Sequence, residues 1–134
     1  MKVTFQDLEE RDNPCNGMAF TSASLLVRLL GELRRSRPPF MCELIGDNGF
    51  TLTVGLAGDI GCVQHGPSDG TPPYLMAVGS NPVEPNAGEV EFVVGGTATP
   101  IDRRYSVPFK TVEQITANFI ETGQRSPIVS WEEI

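Results

Sequence analysis

The chain has 134 residues, of which 40% are hydrophobic and 20% are charged, and its formal net charge is −7. This length predicts one domain, residues 1–134, with a conventional hydrophobic core. No stretch approaches the roughly 18–20 apolar residues that span a bilayer, and the N-terminus lacks the apolar run of a signal peptide, so we expect no membrane association and a cytoplasmic location. The three cysteines are an odd number at wide spacing, which favours free thiols in a reducing compartment.

The first third of the chain predicts a short edge strand at residues 2–6 and one helix. The helix begins after a Thr21 or Ser22 cap and ends near Arg35, before Pro38-Pro39. Arginines at its C-terminal end suit the helix dipole, so they do not indicate a nucleic-acid-binding patch. The leucines that recur at the spacing of one helix face are Leu25, Leu26, Leu29, Leu30 and Leu33.

From Phe40 the hydrophobic period changes to two, which is typical of β-strands. The short loops between the strands favour sequential antiparallel pairing. Asn48-Gly49 predicts the first hairpin, and Gly58-Asp59 predicts the next tight turn. The predicted strands span residues 40–45, 50–56, 61–65, 74–78 and 90–94.

Residues 97–110 are predicted to be irregular, and a second helix follows them. This helix begins with Thr111-Val112-Glu113-Gln114 as a capping box and ends at Gly123, and the tail at residues 128–131 is extended. The predicted buried positions of the helix are Val112, Ile115, Phe119 and Ile120. The predicted fold class is α+β, an antiparallel meander sheet of about five or six strands with two helices packed on it.

The sequence offers no convergent catalytic or metal-binding set. Gly55, Gly58 and Gly61 match neither a dinucleotide fingerprint nor a phosphate loop, and no helix follows them, so they predict a hairpin. Cys62 and the only histidine, His65, are three residues apart, which places them on opposite faces of a strand. A metal site needs three or four convergent ligands. We therefore expect no enzymatic activity, no catalytic residue, no metal and no cofactor.

The negative charge is concentrated in the middle of the chain. Between Arg37 and Arg103 there is no lysine or arginine. The eight carboxylates of this segment are Glu43, Asp47, Asp59, Asp69, Glu84, Glu89, Glu91 and Asp102. Such a block repels nucleic acid and anionic membranes and attracts basic protein surfaces, over about a Debye length of roughly 8 Å at physiological salt. Ordinary surface acidity that keeps the protein soluble is the alternative interpretation.

Residues 40–134 resemble the first-numbered family of immunity proteins from bacterial polymorphic toxin systems. The segments that carry the resemblance are LTVGLAGDIG (52–61), PPYLMAVG (72–79), VEFVVGG (90–96), RYSVPF (104–109), FIETG (119–123) and PIVSWEEI (127–134). The resemblance implies an α+β cytoplasmic protein that binds and silences a cognate toxin domain, often a nucleic-acid deaminase or a nuclease. It implies no catalytic residues.

The resemblance and the acidic block together predict a toxin inhibitor that presents carboxylates to the cationic cleft of its target. The predicted toxin-binding residues are Asp59, Asp69, Glu89, Glu91, Trp131 and Glu132. Asp59 and Asp69 lie in turns, Glu89 and Glu91 should project away from the buried side of their strand, and the last two come from the shared tail. Trp131 has a second interpretation, in which it packs on the core. The alternative functions are an intracellular interaction or assembly module and a small enzyme.

Overall fold

A computed structural model describes all residues, 1–134, and contains a mostly antiparallel sheet with two helices on one face. The predicted α+β fold class is therefore confirmed. The strands are β1 (Val3–Asp7), β2 (Ala19–Phe20), β3 (Phe40–Gly46), β4 (Phe50–Ala57), β5 (Ile60–Pro67), β6 (Leu75–Val78), β7 (Glu89–Val94), β8 (Thr97–Asp102), β9 (Val107–Pro108) and β10 (Ser130–Glu133). The helices are α1 (Ala23–Ser36) and α2 (Phe109–Thr122), and a 3₁₀ helix covers Arg103–Tyr105.

The main path of the sheet runs in the order β10-β6-β5-β4-β3-β1-β2. Strands β3 to β6 form the predicted meander of sequential antiparallel neighbours. Strand β7 does not continue this meander, because β10 takes the position beside β6 and β7 forms a hairpin with β8. The β7–β8 hairpin joins the main path through one parallel pair, Phe40 with Val93.

Both helices pack on the same face of the sheet, and the larger hydrophobic core lies between them and the strands. Helix α1 begins after Ser22, whose hydroxyl accepts a hydrogen bond from the backbone N–H of Leu25, so the predicted cap is present. The α2 positions predicted to be buried are all in this core: Val112, Ile115, Phe119 and Ile120. In α1, Leu26 and Leu30 are fully buried, but Leu25 is 56% exposed, so its assignment to the buried face was wrong.

The prediction that residues 97–110 are irregular was also wrong. Strand β8 pairs with β7 along its whole length, and the 3₁₀ helix and β9 follow it. Helix α2 then begins at Phe109, so Thr111 lies inside its first turn and no side-chain cap forms at its start. Instead, the backbone N–H of Phe109 donates to the carbonyl of Asp59 in the β4–β5 turn, which satisfies one otherwise unpaired donor of the helix. The C-terminal cap at Gly123 has φ +73° and is the left-handed cap that the sequence predicts.

The other face of the sheet is covered only in part, by the β7–β8 hairpin. Phe92 of β7 is buried there against Met41, Cys62 and Met76. A Cβ atom added to Gly55 would lie 2.6 Å from Cys62 Sγ and 2.7 Å from the Phe92 ring. Gly55 is therefore the position on β4 at which the hairpin can approach the sheet.

Candidate functional site

Asp59 and Asp69 lie at opposite ends of β5. Asp59 is in the β4–β5 turn, and its Oδ1 is 3.2 Å from Nη1 of Arg34, a residue of α1. Asp69 follows the strand, and its Oδ1 accepts hydrogen bonds from the hydroxyl and the backbone N–H of Thr71. These two hydrogen bonds hold the pKa of Asp69 below its usual value, and the bond from the hydroxyl has the larger effect. Because eight extended residues span about 26 Å at roughly 3.3 Å each, the two carboxylates do not form one patch.

Glu89 and Glu91 lie on the outer face of the β7–β8 hairpin. Both are exposed, whereas Phe92 is buried between the hairpin and the sheet. This matches the alternation of polar and apolar residues along the strand. Neither carboxylate forms a salt bridge or a side-chain hydrogen bond within the chain. Both charges are therefore available to a partner that approaches from outside the hairpin.

Trp131 packs on the main core, which supports its structural interpretation. Its indole N–H donates to the carbonyl of Ser126 at 3.0 Å. Its ring meets the His65 ring edge-on, with the centroids 6.1 Å apart. The indole is partly buried rather than presented to solvent. Trp131 could therefore contribute to binding by fixing the position of β10, but not as an aromatic side chain that inserts freely into a partner.

Glu132 points to the other side of β10 and is held by two residues that follow the β7–β8 hairpin. Its Oε2 is 3.0 Å from Nη2 and 3.2 Å from Nε of Arg104, and its Oε1 accepts a hydrogen bond from the Tyr105 hydroxyl at 3.1 Å. The hydrogen bonds from Arg104 are the largest cause that keeps the pKa of Glu132 low. Neither partner was predicted from the sequence. They belong to the RYSVPF segment, so two of the resembling segments are in direct contact.

Cys62 and His65 face opposite sides of β5, so the predicted placement on opposite faces of the strand is confirmed. Cys62 is buried under Phe92, and burial raises the pKa of its thiol to about 12. His65 lies on the helix side, stacked on Phe50 with 5.0 Å between ring centroids. Burial and the nearby Arg125 lower the pKa of His65. The Cys62 thiol and the His65 imidazole are thus on opposite sides of the sheet.

No three or more His, Cys, Asp or Glu side chains converge in a way that could hold a metal ion. None of the helices is long and apolar enough to cross a membrane. The six predicted binding residues are divided among the two ends of β5, the outer face of the hairpin and strand β10. The structure brings Glu89 and Glu91 together on one surface, and it places Asp59 and Asp69 at opposite ends of another strand.

The sequence model of the family described as immunity protein Imm1 matches residues 18–133. The match begins before β2 and includes both helices, so it extends the resemblance seen over residues 40–134 to the N-terminal helix. No curated protein matches the chain significantly. Because the family match covers most of the 134 residues, the chain belongs to the Imm1 family of immunity proteins.

Proposed function

We propose that this protein binds and neutralises a cognate toxin domain in the cytoplasm, and that this toxin acts on nucleic acid as a deaminase or a nuclease. The observation that carries the proposal is the family match over residues 18–133. The protein acts as a stoichiometric inhibitor without catalysis and without a cofactor. The lack of a convergent ligand or nucleophile set is consistent with a role that depends on binding alone.

The charge distribution supports a cationic target. Six of the eight carboxylates between Arg37 and Arg103 are exposed: Asp47, Asp59, Asp69, Glu84, Glu89 and Glu91. A toxin that acts on nucleic acid needs a positively charged cleft, and a negative surface both steers toward such a cleft and competes with its substrate. The accessible surface is 6945 Å², and a standard interface covers about 800 Å² of each partner. Most of these carboxylates therefore lie outside the contact and act through the encounter rate.

Co-expression tests the proposal directly. The candidate toxin domain is sought among the products of neighbouring genes and is expressed in a sensitive host, together with the wild-type protein or with an empty vector. A catalytically inactive toxin shows that growth arrest depends on toxin activity, and a toxin from an unrelated immunity pair tests specificity. We expect growth to be restored only with the cognate pair. If growth stays arrested while both proteins are soluble and abundant, the proposed function is wrong.

A further inference from the structure

One part of the sheet is covered neither by the helices nor by the hairpin. The strand register places Gln6, Glu43, Thr53 and Gln64 side by side across β1, β3, β4 and β5. Their strand neighbours Leu44, Leu52 and Val54 belong to the helix-side core. Because successive residues of a strand point to opposite faces, this row lies on the face away from the helices. We call the surface formed by Gln6, Glu43, Thr51, Thr53 and Gln64 the open sheet face.

The open sheet face contains a shallow cavity beside the β5–β6 loop. Its volume is about 150 Å³, and its lining includes Glu43, Thr51, Thr53, Gln64 and Tyr74. Sites for small molecules and cofactors occupy roughly 300–1,000 Å³, so this cavity is too small for such a ligand. It suits a single side chain inserted by a protein partner. The strands beneath it are paired on both sides, which makes the surface rigid before binding.

Glu43 is the one charged residue of the open sheet face, and nothing in the chain neutralises it. It is partly buried, yet it takes part in no salt bridge and accepts no hydrogen bond. The other strand carboxylates that are not fully exposed are all satisfied: Asp7 by Arg37 and Asn13, Asp102 by backbone N–H groups, and Glu132 by Arg104 and Tyr105. The carboxylate oxygens of Glu43 are not among the buried side-chain atoms that lack a partner, so they reach solvent and can pair with a cation that a binding partner supplies.

We propose that the open sheet face is the centre of the toxin-binding surface, where the toxin inserts a lysine or arginine side chain against Glu43. This inference rests on the proposed function, because the occupant is the toxin domain. Gln6, Thr53 and Gln64 supply the neutral hydrogen-bonding groups around the inserted cation, and an arginine would suit the carboxylate through a bidentate contact. Nucleic acid does not fit the same surface, since it would place phosphates beside an unpaired carboxylate.

The test measures stability and affinity of the same variants. Titration calorimetry gives the Kd for a catalytically inactive form of the toxin domain identified by co-expression, and thermal unfolding gives Tm. For Glu43→Gln we expect Kd to rise about 30-fold or more, the equivalent of about 2 kcal/mol, with Tm unchanged or higher. Glu113→Gln is the matched control, since Glu113 of α2 is also partly buried and unpaired but lies in the helix layer. Its Kd should equal that of the wild type.

A second variant keeps the proposal open to refutation. Thr53 is directly opposite Glu43 in the β3–β4 register, so Thr53→Arg supplies an internal cation to Glu43 and fills the cavity. We expect a folded protein that no longer binds the toxin measurably. If the wild type binds and both Glu43→Gln and Thr53→Arg keep its Kd, the open sheet face is not the binding surface, although the proposed function stands. An equal loss of affinity in Glu113→Gln would also overturn the inference. If the wild type itself does not bind, the proposed function fails first.

Discussion

Among the ion pairs of this fold, the buried Asp7–Arg37 pair is the one whose disruption should lower the free energy of unfolding the most. The Asp7 side chain is completely buried, and it accepts hydrogen bonds from the backbone N–H groups of Glu9 and Glu10 at 2.8 Å each. Asn13 Nδ2 donates at 3.0 Å, and the Arg37 guanidinium donates through both Nη atoms. Through these bonds one carboxylate connects β1, the loop after it and the end of α1.

Asp7→Asn keeps the shape of the side chain and removes its charge. The amide oxygen can still accept from the backbone, but the new N–H₂ group faces donors and leaves the guanidinium without its main counter-ion. Losing one partner of a buried pair costs about 3–5 kcal/mol. Arg37 keeps 12% of its side-chain surface exposed and has a second, longer contact of 3.7 Å to Glu10, so we expect about 2–4 kcal/mol. For a chain of this length a loss of about 3 kcal/mol lowers Tm by roughly 10 °C.

Urea unfolding followed by circular dichroism measures this loss at pH 7, and its pH dependence provides a second check. Burial acts to raise the pKa of Asp7, but the hydrogen bonds from Arg37, Asn13 and the backbone outweigh it and keep the pKa below the ordinary 3.8. Because the folded pKa is the lower one, the stabilisation is present above about pH 4 and is lost as the pH falls through the folded value. The difference between wild type and Asp7→Asn should therefore shrink below about pH 4.

The control for this prediction is Glu32→Gln, which breaks the Arg28–Glu32 pair. Both side chains of that pair are more than half exposed, so we expect a change below about 0.5 kcal/mol. A result in which Asp7→Asn is as stable as Glu32→Gln at pH 7 would refute the reasoning. It would mean that the free-energy cost of removing Asp7 and Arg37 from water is as large as the stabilisation that their contact provides.

Two further predictions concern the β7–β8 hairpin. Gly55→Ala should destabilise the fold by about 1–3 kcal/mol, because the added Cβ would clash with Cys62 Sγ and the Phe92 ring. The control Gly31→Ala in α1 places its Cβ where no atom lies within 4 Å, so it should be neutral or stabilising. Urea unfolding measures both variants, and equal stability of the two would contradict the packing argument. Charge reversal at Glu89 and Glu91 should slow association with the toxin and weaken the salt dependence of the association rate. The fold should be unchanged, since both carboxylates are exposed. Stopped-flow association rates between about 50 and 500 mM salt measure the effect, and rates equal to those of the wild type would show that the acidity serves solubility.

The helices and the meander were predictable because local patterns specify them. The alternation in β3 and β4 has a clear period of two, and the turns between strands contain glycines at positions that require positive φ, such as Gly49 at +88° and Gly58 at +63°. The capping box of α2 failed for a tertiary reason, because the β4–β5 turn satisfies the start of that helix. Strand β8 was missed because Pro100 and small polar residues hide its period.

The order of strands beyond β6 could not be read from local sequence. The β7–β8 hairpin crosses to the face of the sheet away from the helices, where Phe92 packs over Gly55, and β10 pairs with the edge of β6. Both facts depend on contacts between residues far apart in the chain. A rule that favours sequential pairing gives the correct meander for β3 to β6 and gives no information about such a crossing.

The location of negative charge was predictable from the sequence, but its availability to a partner was not. A cation-free segment of sequence does not produce a cation-free surface, because Arg34 and Arg104, from the flanks, fold onto Asp59 and Glu132. Two of the six predicted binding residues, Asp59 and Glu132, thereby already have cationic partners. Glu43 shows the opposite case, since its position in an alternating strand assigns it to the face away from Leu44, while its lack of a partner emerges only when all neighbours are in place. The carboxylate whose substitution best tests binding is therefore Glu43, which the fold leaves unpaired and partly buried on a rigid surface, and not one of the most exposed carboxylates.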